Sequence, residues 1–287
     1  LLIWTNMKQV KAFFLAVCAV GLSFSTAQAQ VLDPSDDGIV PEATKHYRNN
    51  RVVPYPFLRQ DDMLWSERHW ERIDLREKIN LPLYYPIKPM PDRKALWDVL
   101  VDGIVTENTI TEIFIDDKFE LPLTVEEVRQ KIEQYDTIPD PDDPFGPPLA
   151  IDTITIKANN VVAYHLKSDW YFDKQRGELK NRIIGIAPEV RDPRNPSLTY
   201  NPFWIWFPDA RYAMATSVAY NEKNNNQRLT FDQIMHYRKF NAVITKMDNV
   251  YDRTIADYKR NSAMSQLLEA AAIKEDLRNK EHDMWTY

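Results

Sequence analysis

The run Phe203-Trp204-Ile205-Trp206-Phe207 places the strongest constraint on this chain. As a strand it is apolar on both faces, with Phe203, Ile205 and Phe207 pointing one way and Trp204 and Trp206 the other. Such a segment must be covered on both sides, which predicts a central strand or a strand completed by a partner. Upstream, residues 169–173 (DWYFD) and 179–187 (LKNRIIGIA) read as two strands joined by KQRGE, where Gly177 supplies the positive φ of a short hairpin loop. Residues 161–164 add a fourth strand. The expected fold class is α+β: a mostly antiparallel sheet around residues 161–207 with packed helices, a Pro-rich extended N-terminal arm and a C-terminal helix.

Composition narrows the function classes. A chain of 287 residues, 44% apolar and 27% charged, has the material for one sizeable core or two modest domains. Its 6 glycines are scattered, and none lie closer together than Gly177 and Gly185. Phosphate-cradling loops need clustered glycines, so dinucleotide and P-loop readings fail.

The first 29 residues read as a secretory signal. Met7 opens a short basic region with Lys8 and Lys11, an apolar run follows over residues 12–24, and Ala27-Gln28-Ala29 is the cleavage signal. That run is too short to span a bilayer. Export with a mature chain from Gln30 is expected, and residues 1–6 read as an artefact of an upstream start. Cys18, the sole cysteine, lies inside the signal, so the mature chain has no disulfide or thiolate site. A lipoprotein reading of residues 15–18 (LAVC) meets bulky Val17 where a small residue is needed. Cleavage removes two lysines and no acid, moving the net charge from -6 to -8. Nucleic acid and anionic membranes are poor partners for such a chain.

Six segments follow from a pass along the sequence: the signal, an arm (30–62), an N-terminal α/β lobe (63–138), a Pro-rich linker (139–150), a sheet-containing lobe (151–260) and a C-terminal helix (261–287). The arm carries Pro34, Pro41, Pro54 and Pro56, and reads as a flexible terminus in preference to an arm lying along a neighbouring subunit. Residues 66–73 predict a short helix capped by Ser66 and anchored by Trp65 and Trp70, and residues 81–91 (LPLYYPIKPMP) an extended stretch. Leu96, Val99 and Leu100 share one stripe of a helix over 92–101. Residues 109–114 (TITEIF) form a strand, Asp116-Asp117 a turn, and 119–121 the returning partner. Thr124 with Glu127, and Leu123 with Val128, mark a helix start whose buried face is Val125, Val128, Ile132 and Tyr135. Thr230 with Gln233, and Leu229 with Ile234, repeat that logic. Residues 262–280 read as helical, with Met264, Leu267, Leu268 and Ala271 in a narrow stripe that packs on its own domain more readily than in a partner's groove.

Catalytic chemistry finds little support. None of the five histidines pairs with another at metal-ligand spacing, and His165 near Asp169 reads as a structural strand histidine, not a dyad. The acidic stretches at 33–38 (DPSDDG) and 140–146 (DPDDPFG) break the calcium-loop pattern. No G-x-S-x-G is present, and no carboxylate pair stands out among 42 acids. No catalytic, cofactor-binding or metal-binding residue is therefore assigned. The aromatics around Trp170 and Trp204 line either a sugar or peptide groove or the core. The candidate interface residues are Trp204, Trp206, Trp170, Tyr171, Met264, Leu267 and Leu268.

Several long segments carry a resemblance: DWYFDKQRGELKNRIIGIAP (169–188), NPFWIWFPDAR (201–211), YNEKNNNQRLTFDQI (220–234), MDNVYDRTIADY (247–258) and residues 55–86. In these the chain resembles the family of the gliding-motility protein GldN, called PorN in non-gliding relatives. The resemblance implies a non-enzymatic periplasmic subunit of the type IX secretion machinery. It further implies a ring formed with copies of itself and an outer-membrane lipoprotein, GldK or PorK, at the inner face of the outer membrane. An inner-membrane motor of GldL and GldM, or PorL and PorM, is the third implied partner. The alternative is a periplasmic glycan- or peptide-binding protein or hydrolase that uses the aromatic cleft near Trp170.

Overall fold

The computed structural model describes residues 51–90, 93–138, 150–221, 229–260 and 262–284. The expected signal, most of the arm and the linker (139–149) lie outside them. Strand β1 (Met63–Asp74) leads to the helical turn α1 (Leu81–Tyr84) and to α2 (Leu96–Val101), which runs on into a wider turn over Asp102–Thr106. β2 (Ile113–Phe114), α3 (Val125–Ile132) and β3 (Glu133–Ile138) follow. After the linker come β4 (Ala150–Thr155), β5 (Val161–Asp173), β6 (Glu178–Arg191), β7 (Thr199–Tyr200), β8 (Trp204–Trp206) and α4 (Phe207–Thr216). The chain closes with α5 (Phe231–His236), β9 (Val243–Met247), α6 (Ile255–Tyr258) and α7 (Ala263–Met284).

Seven strands form one antiparallel sheet in the order β2-β8-β6-β5-β1-β9, with β7 also on β6, and β3 pairs with β4 separately. The fold is α+β, and its sheet draws strands from both sides of the proline-rich stretch. At its centre is the β5–β6 hairpin, closed by a turn in which Gly177 has φ +62 and donates its N–H to the Asp173 carbonyl at 2.8 Å. The strands expected at 161–164 and 169–173 are one strand, because the polar residues between them have partners on the neighbouring strands. Arg72 pairs with His165, Trp70 with Lys167 and Arg68 with Asp169 in the register.

Several expectations need correction. Residues 66–73 are strand, not helix: β1 is paired on both edges, and His69, Glu71 and Ile73 are buried in alternation. That is a period of two, which the charged helix-formers in the segment obscured. Residues 81–84 turn helically because Pro82 sits in a first turn, where its missing N–H costs nothing. Only Ile113 and Phe114 of the 109–114 strand pair, since the N–H groups of Thr111 and Glu112 donate instead to the Asp209 carboxylate, at 2.6 and 2.9 Å. α3 stops at Ile132 and Tyr135 lies in β3. α7 buries Ala270 and Leu277, while Met264, Leu267 and Leu268 are 65%, 52% and 64% exposed. The period of the helix places a second stripe, around Ala270 and Ile273, against β9.

The helix starts form as expected. Thr124 and Glu127, then Thr230 and Gln233, close reciprocal capping boxes, and Thr254 with Asp257 forms another.

The FWIWF run is covered on both faces. Phe203, Ile205 and Phe207 are fully buried, and Trp204 is 7% exposed. Pro208 in the first turn of α4 shortens the strand to three residues. Over the tryptophan face lies Phe119, whose ring centroid is 5.1 Å from Trp206 and 6.4 Å from Trp204, both edge-on. It takes a left-handed backbone, φ 59, which is unfavourable for a phenylalanine. Its ring fits because β6 carries glycine beneath it: a Cβ at Gly185 would lie 2.4 Å from Phe119 Cζ. Lys167, buried and with its pKa lowered by that burial, sits 5.1 Å from the same ring and donates to the Asp117 carbonyl. Trp70 Nε1 reaches the Asp117 carboxylate at 2.9 Å, which holds the loop down.

On the helical side, burial pushes the Asp98 carboxyl up to about 6. Its Oδ2 has no hydrogen-bond partner. A raised acid favours the fold when protonated, so this contribution is present at low pH and is lost as pH rises through about 6. Asp98→Asn should melt above the wild type at pH 8 and level with it near pH 4; parallel pH profiles for the two would exclude the assignment. Gly185→Ala should lower stability by ~1–3 kcal/mol in a denaturant titration, as Phe119 is displaced.

Candidate functional site

Residues 51–57 carry no regular structure, yet the backbone of Val53 is held from both sides. Arg211 of α4 and Asp232 of α5 form a buried ion pair at 2.7 and 3.3 Å, with side chains 6% and 1% exposed. Asp232 accepts the Val53 N–H at 3.0 Å, and Arg211 donates to the Val53 carbonyl. Tyr55 lies 4.3 Å from the Arg211 guanidinium and 5.0 Å from that of Arg182, and its ring tilts against His236 at 5.3 Å. Arg182 donates to the Pro56 carbonyl at 3.3 Å. Burial pushes the Tyr55 hydroxyl pKa up; burial and then Arg211 bring that of His236 down, leaving its imidazole neutral at pH 7. The arm thus fills the bonding capacity of two buried charges, whose isolation would be costly.

Beside the arm opens a cleft of about 650 Å³ between the β5–β6 turn, the end of α5 and Pro54–Pro56. Its aromatic walls are Tyr55, Trp170, Tyr171 and Tyr237, its cations are Arg176, Lys180 and Arg238, and no carboxylate lines it. Trp170 and Asn181 are cross-strand partners. Arg238 lies 4.9 Å over the Trp170 ring, fixed by Asn181 Oδ1 at 3.0 Å and Glu71 Oε2 at 2.5 Å. Trp170 Nε1 and Asn181 Nδ2 find no acceptor in the protein. An aromatic cleft with cations and unspent donors suits an extended, acceptor-rich ligand.

A smaller recess of about 320 Å³ joins Arg72, His165 and Glu189 to Thr199, Tyr200 and Asn201. Burial opposes the Glu189 carboxylate, but hydrogen bonds from His165 (3.1 Å) and Arg72 (2.6 and 3.2 Å), with the charge of Arg72, bring its pKa down to about 2. A carboxylate so fully engaged is a poor proton acceptor at neutral pH. His165 therefore bonds Glu189, while Asp169 bonds Arg68 at 2.7 and 2.8 Å. Among the described residues no three His, Cys, Asp or Glu side chains cluster as metal ligands, and no helix is long and apolar enough to cross a membrane.

The candidate interface residues fall in three places. Trp170 and Tyr171 stand together at the cleft. Trp204 and Trp206 lie under Phe119 on the far side of β6 from β5. Met264, Leu267 and Leu268 line the exposed stripe of α7. Sequence reasoning missed Arg211, Asp232, Arg238 and Tyr55, which meet only through tertiary packing. The single available signal was Tyr55 between two prolines, a stretch too rigid to be a plain spacer.

Residues 58–286 match the family described as "Gliding motility associated protein GldN". No curated protein matches the chain. The clamped residues Val53–Pro56 precede the matched span, while Arg182, Arg211 and Asp232 lie inside it.

Removing one partner of the buried pair should unseat the arm. Asp232→Ala should cost about 3–5 kcal/mol, because Arg211 is left buried without its counter-charge. Limited proteolysis should then cut near residues 51–57 at protease levels that spare the wild type. An arm that stays protected in the variant would show that Tyr55 stacking alone holds it.

Proposed function

We infer the role of this chain from one premise: it belongs to the GldN family, whose members are components of the gliding-motility and type IX secretion machinery. Members are structural gliding-motility proteins. The chain acts as a non-enzymatic periplasmic subunit that forms a ring with copies of itself and with a GldK- or PorK-like outer-membrane lipoprotein. Through that lipoprotein it is held at the inner face of the outer membrane, and the ring couples to the GldL/GldM or PorL/PorM motor.

The observation that carries the reading is the exposed stripe on α7. One face of this long helix is fixed against β9 through Ala270 and Ile273, and Met264, Leu267 and Leu268 stand out on another. Clustered apolar side chains of that size on a rigid helix support a protein-binding surface. In the loop before α6, Val250 and Tyr251 are likewise 98% and 73% exposed. The Trp170 cleft favours a second reading, binding of a glycan or peptide, since its volume and aromatic walls suit such a ligand.

The test is a pull-down of tagged mature chain from detergent-solubilised envelopes, with mass spectrometry and negative-stain imaging. Wild type should recover a lipoprotein in ring-shaped particles. Met264→Ser, Leu267→Ser and Leu268→Ser combined should leave the melting temperature within a few degrees, since all three are exposed, while weakening that association. Recovery of single copies without a partner, from a strain that still secretes, would reject the ring. Undiminished assembly of the triple variant would move the contact away from α7.

A further inference from the structure

The cleft beside Trp170 is a half-occupied polypeptide groove. Its upstream part already holds an extended, proline-containing segment: Val53 is gripped through its N–H and carbonyl, and Pro56 through its carbonyl. Such main-chain grips accept many sequences, and aromatic-lined grooves accept proline-rich extended chains in particular. The open part offers Trp170, Tyr171 and Tyr237 as walls and Arg176, Lys180 and Arg238 as cations. Each cation has a carboxylate neighbour, Asp173 at 3.7 Å, Glu178 at 2.6 Å and Glu71 at 2.5 Å respectively, but none of those acids lines the cleft. The buried donors Trp170 Nε1 and Asn181 Nδ2 have no partner in the protein.

We propose that this groove takes the acidic, proline-rich segment 139–149 (PDPDDPFGPPL) of a neighbouring copy of the chain. The segment matches the groove in three respects. Asp140, Asp142 and Asp143 meet a lining that has cations and no acids. Its prolines favour the extended form that an aromatic groove binds with little loss of conformational freedom. Phe145 adds an aromatic group to stack among the tyrosines.

A neighbour is favoured over the same copy by where the segment leaves the fold. It joins β3 to β4, whose base is tied to the far end of the sheet. Gln134 donates to the Tyr200 hydroxyl at 3.2 Å, Lys131 donates to the Pro202 carbonyl at 2.9 Å, and Tyr200 pairs with Val190. Along β6 that point is about 30 Å from Asn181. The base of the β3–β4 hairpin and the groove are therefore separated along the sheet, and a contact between two different surfaces propagates head to tail, closing into a ring when the rotation allows. The proposal rests on the reading of the chain as a self-assembling subunit.

Two measurements test it. First, a labelled peptide of residues 138–150 is titrated into the mature chain. Saturable binding is expected, weakened about tenfold by Arg176→Glu with Lys180→Glu, and weakened by Tyr237→Ala, whose side chain is largely exposed. Absence of binding, or binding indifferent to those changes, overturns the proposal. So does tighter binding of a peptide of residues 32–46, which would assign the groove to the upstream arm. Second, mass photometry compares wild type with two variants: one with Asp140→Lys, Asp142→Lys and Asp143→Lys, the other with Arg176→Glu and Lys180→Glu. Each variant alone should stay single, and a mixture should regain assembly, because the intact linker of one meets the intact groove of the other and the two charge-reversed surfaces also complement each other. Variants that assemble like wild type overturn the linker contact and leave the ring reading standing. A wild type that binds peptide yet stays single overturns the neighbour as the source of the segment, while the envelope pull-down decides the ring separately.

Discussion

The β5–β6 hairpin is the element on which the other strands depend. Its register runs from Val161 opposite Val190 to Asp173 opposite Glu178, and each outer edge is a template. β1 pairs along nearly the whole free edge of β5, while β7 and β8 occupy the free edge of β6. The hairpin carries irregular pairing near Val161 and between Lys167 and Ser168. Such bulges increase local twist and re-aim side chains, here near the point where polar Lys167 and Gly185 must accommodate the covering loop. A sheet assembled this way joins residues far apart in sequence, so its outer strands depend on the hairpin forming.

The two faces of the sheet are closed by different means. Helices α2, α4 and α5 contribute Leu96, Leu100, Met214, Phe231 and Met235 to one continuous core against Ile73, Leu166, Ile186 and Ile205. The tryptophan face is closed by a short loop, and there the fit is local and tight. A glycine in a central strand, an aromatic in a left-handed conformation and a buried lysine fit only together. Each would be unfavourable alone, by lost side-chain packing, backbone strain and desolvation respectively. Rigid contacts of this kind hold the sheet face in one arrangement.

The arm extends the same logic to the helical side. A buried Arg211–Asp232 pair is weak grounds for stability by itself, because desolvation offsets much of the Coulombic gain. Here its remaining hydrogen-bonding capacity is used to recognise backbone. The result is a groove that is specific for an extended chain and tolerant of its side chains, with an open continuation of aromatic and cationic character.

Much of the fold was legible in the residues themselves. The Gly177 hairpin, the capping boxes at Thr124 and Thr230, and the double-sided coverage of Phe203–Phe207 are local matters of φ, hydrogen-bond reach and side-chain alternation, and a chain carries these in its own order. β1 was misread because a stretch rich in Glu and Arg has helical propensity; pairing with β5 and β9 overrides that, and pairing is invisible one segment at a time. The candidate cleft was half legible: Trp170 and Tyr171 announced an aromatic surface, but nothing near them in sequence pointed to Tyr55, Arg238 or the Arg211–Asp232 pair. Sequence alone determined which segments would be strands joined by a tight turn, where two of the capping boxes would start helices, and that the FWIWF run had to be enclosed. Only the tertiary structure decided what encloses it, which stripe of α7 faces water, and where the arm is held. Those outcomes depend on contacts between residues well separated in sequence, as between Val53 and Asp232, and no local spacing rule encodes them.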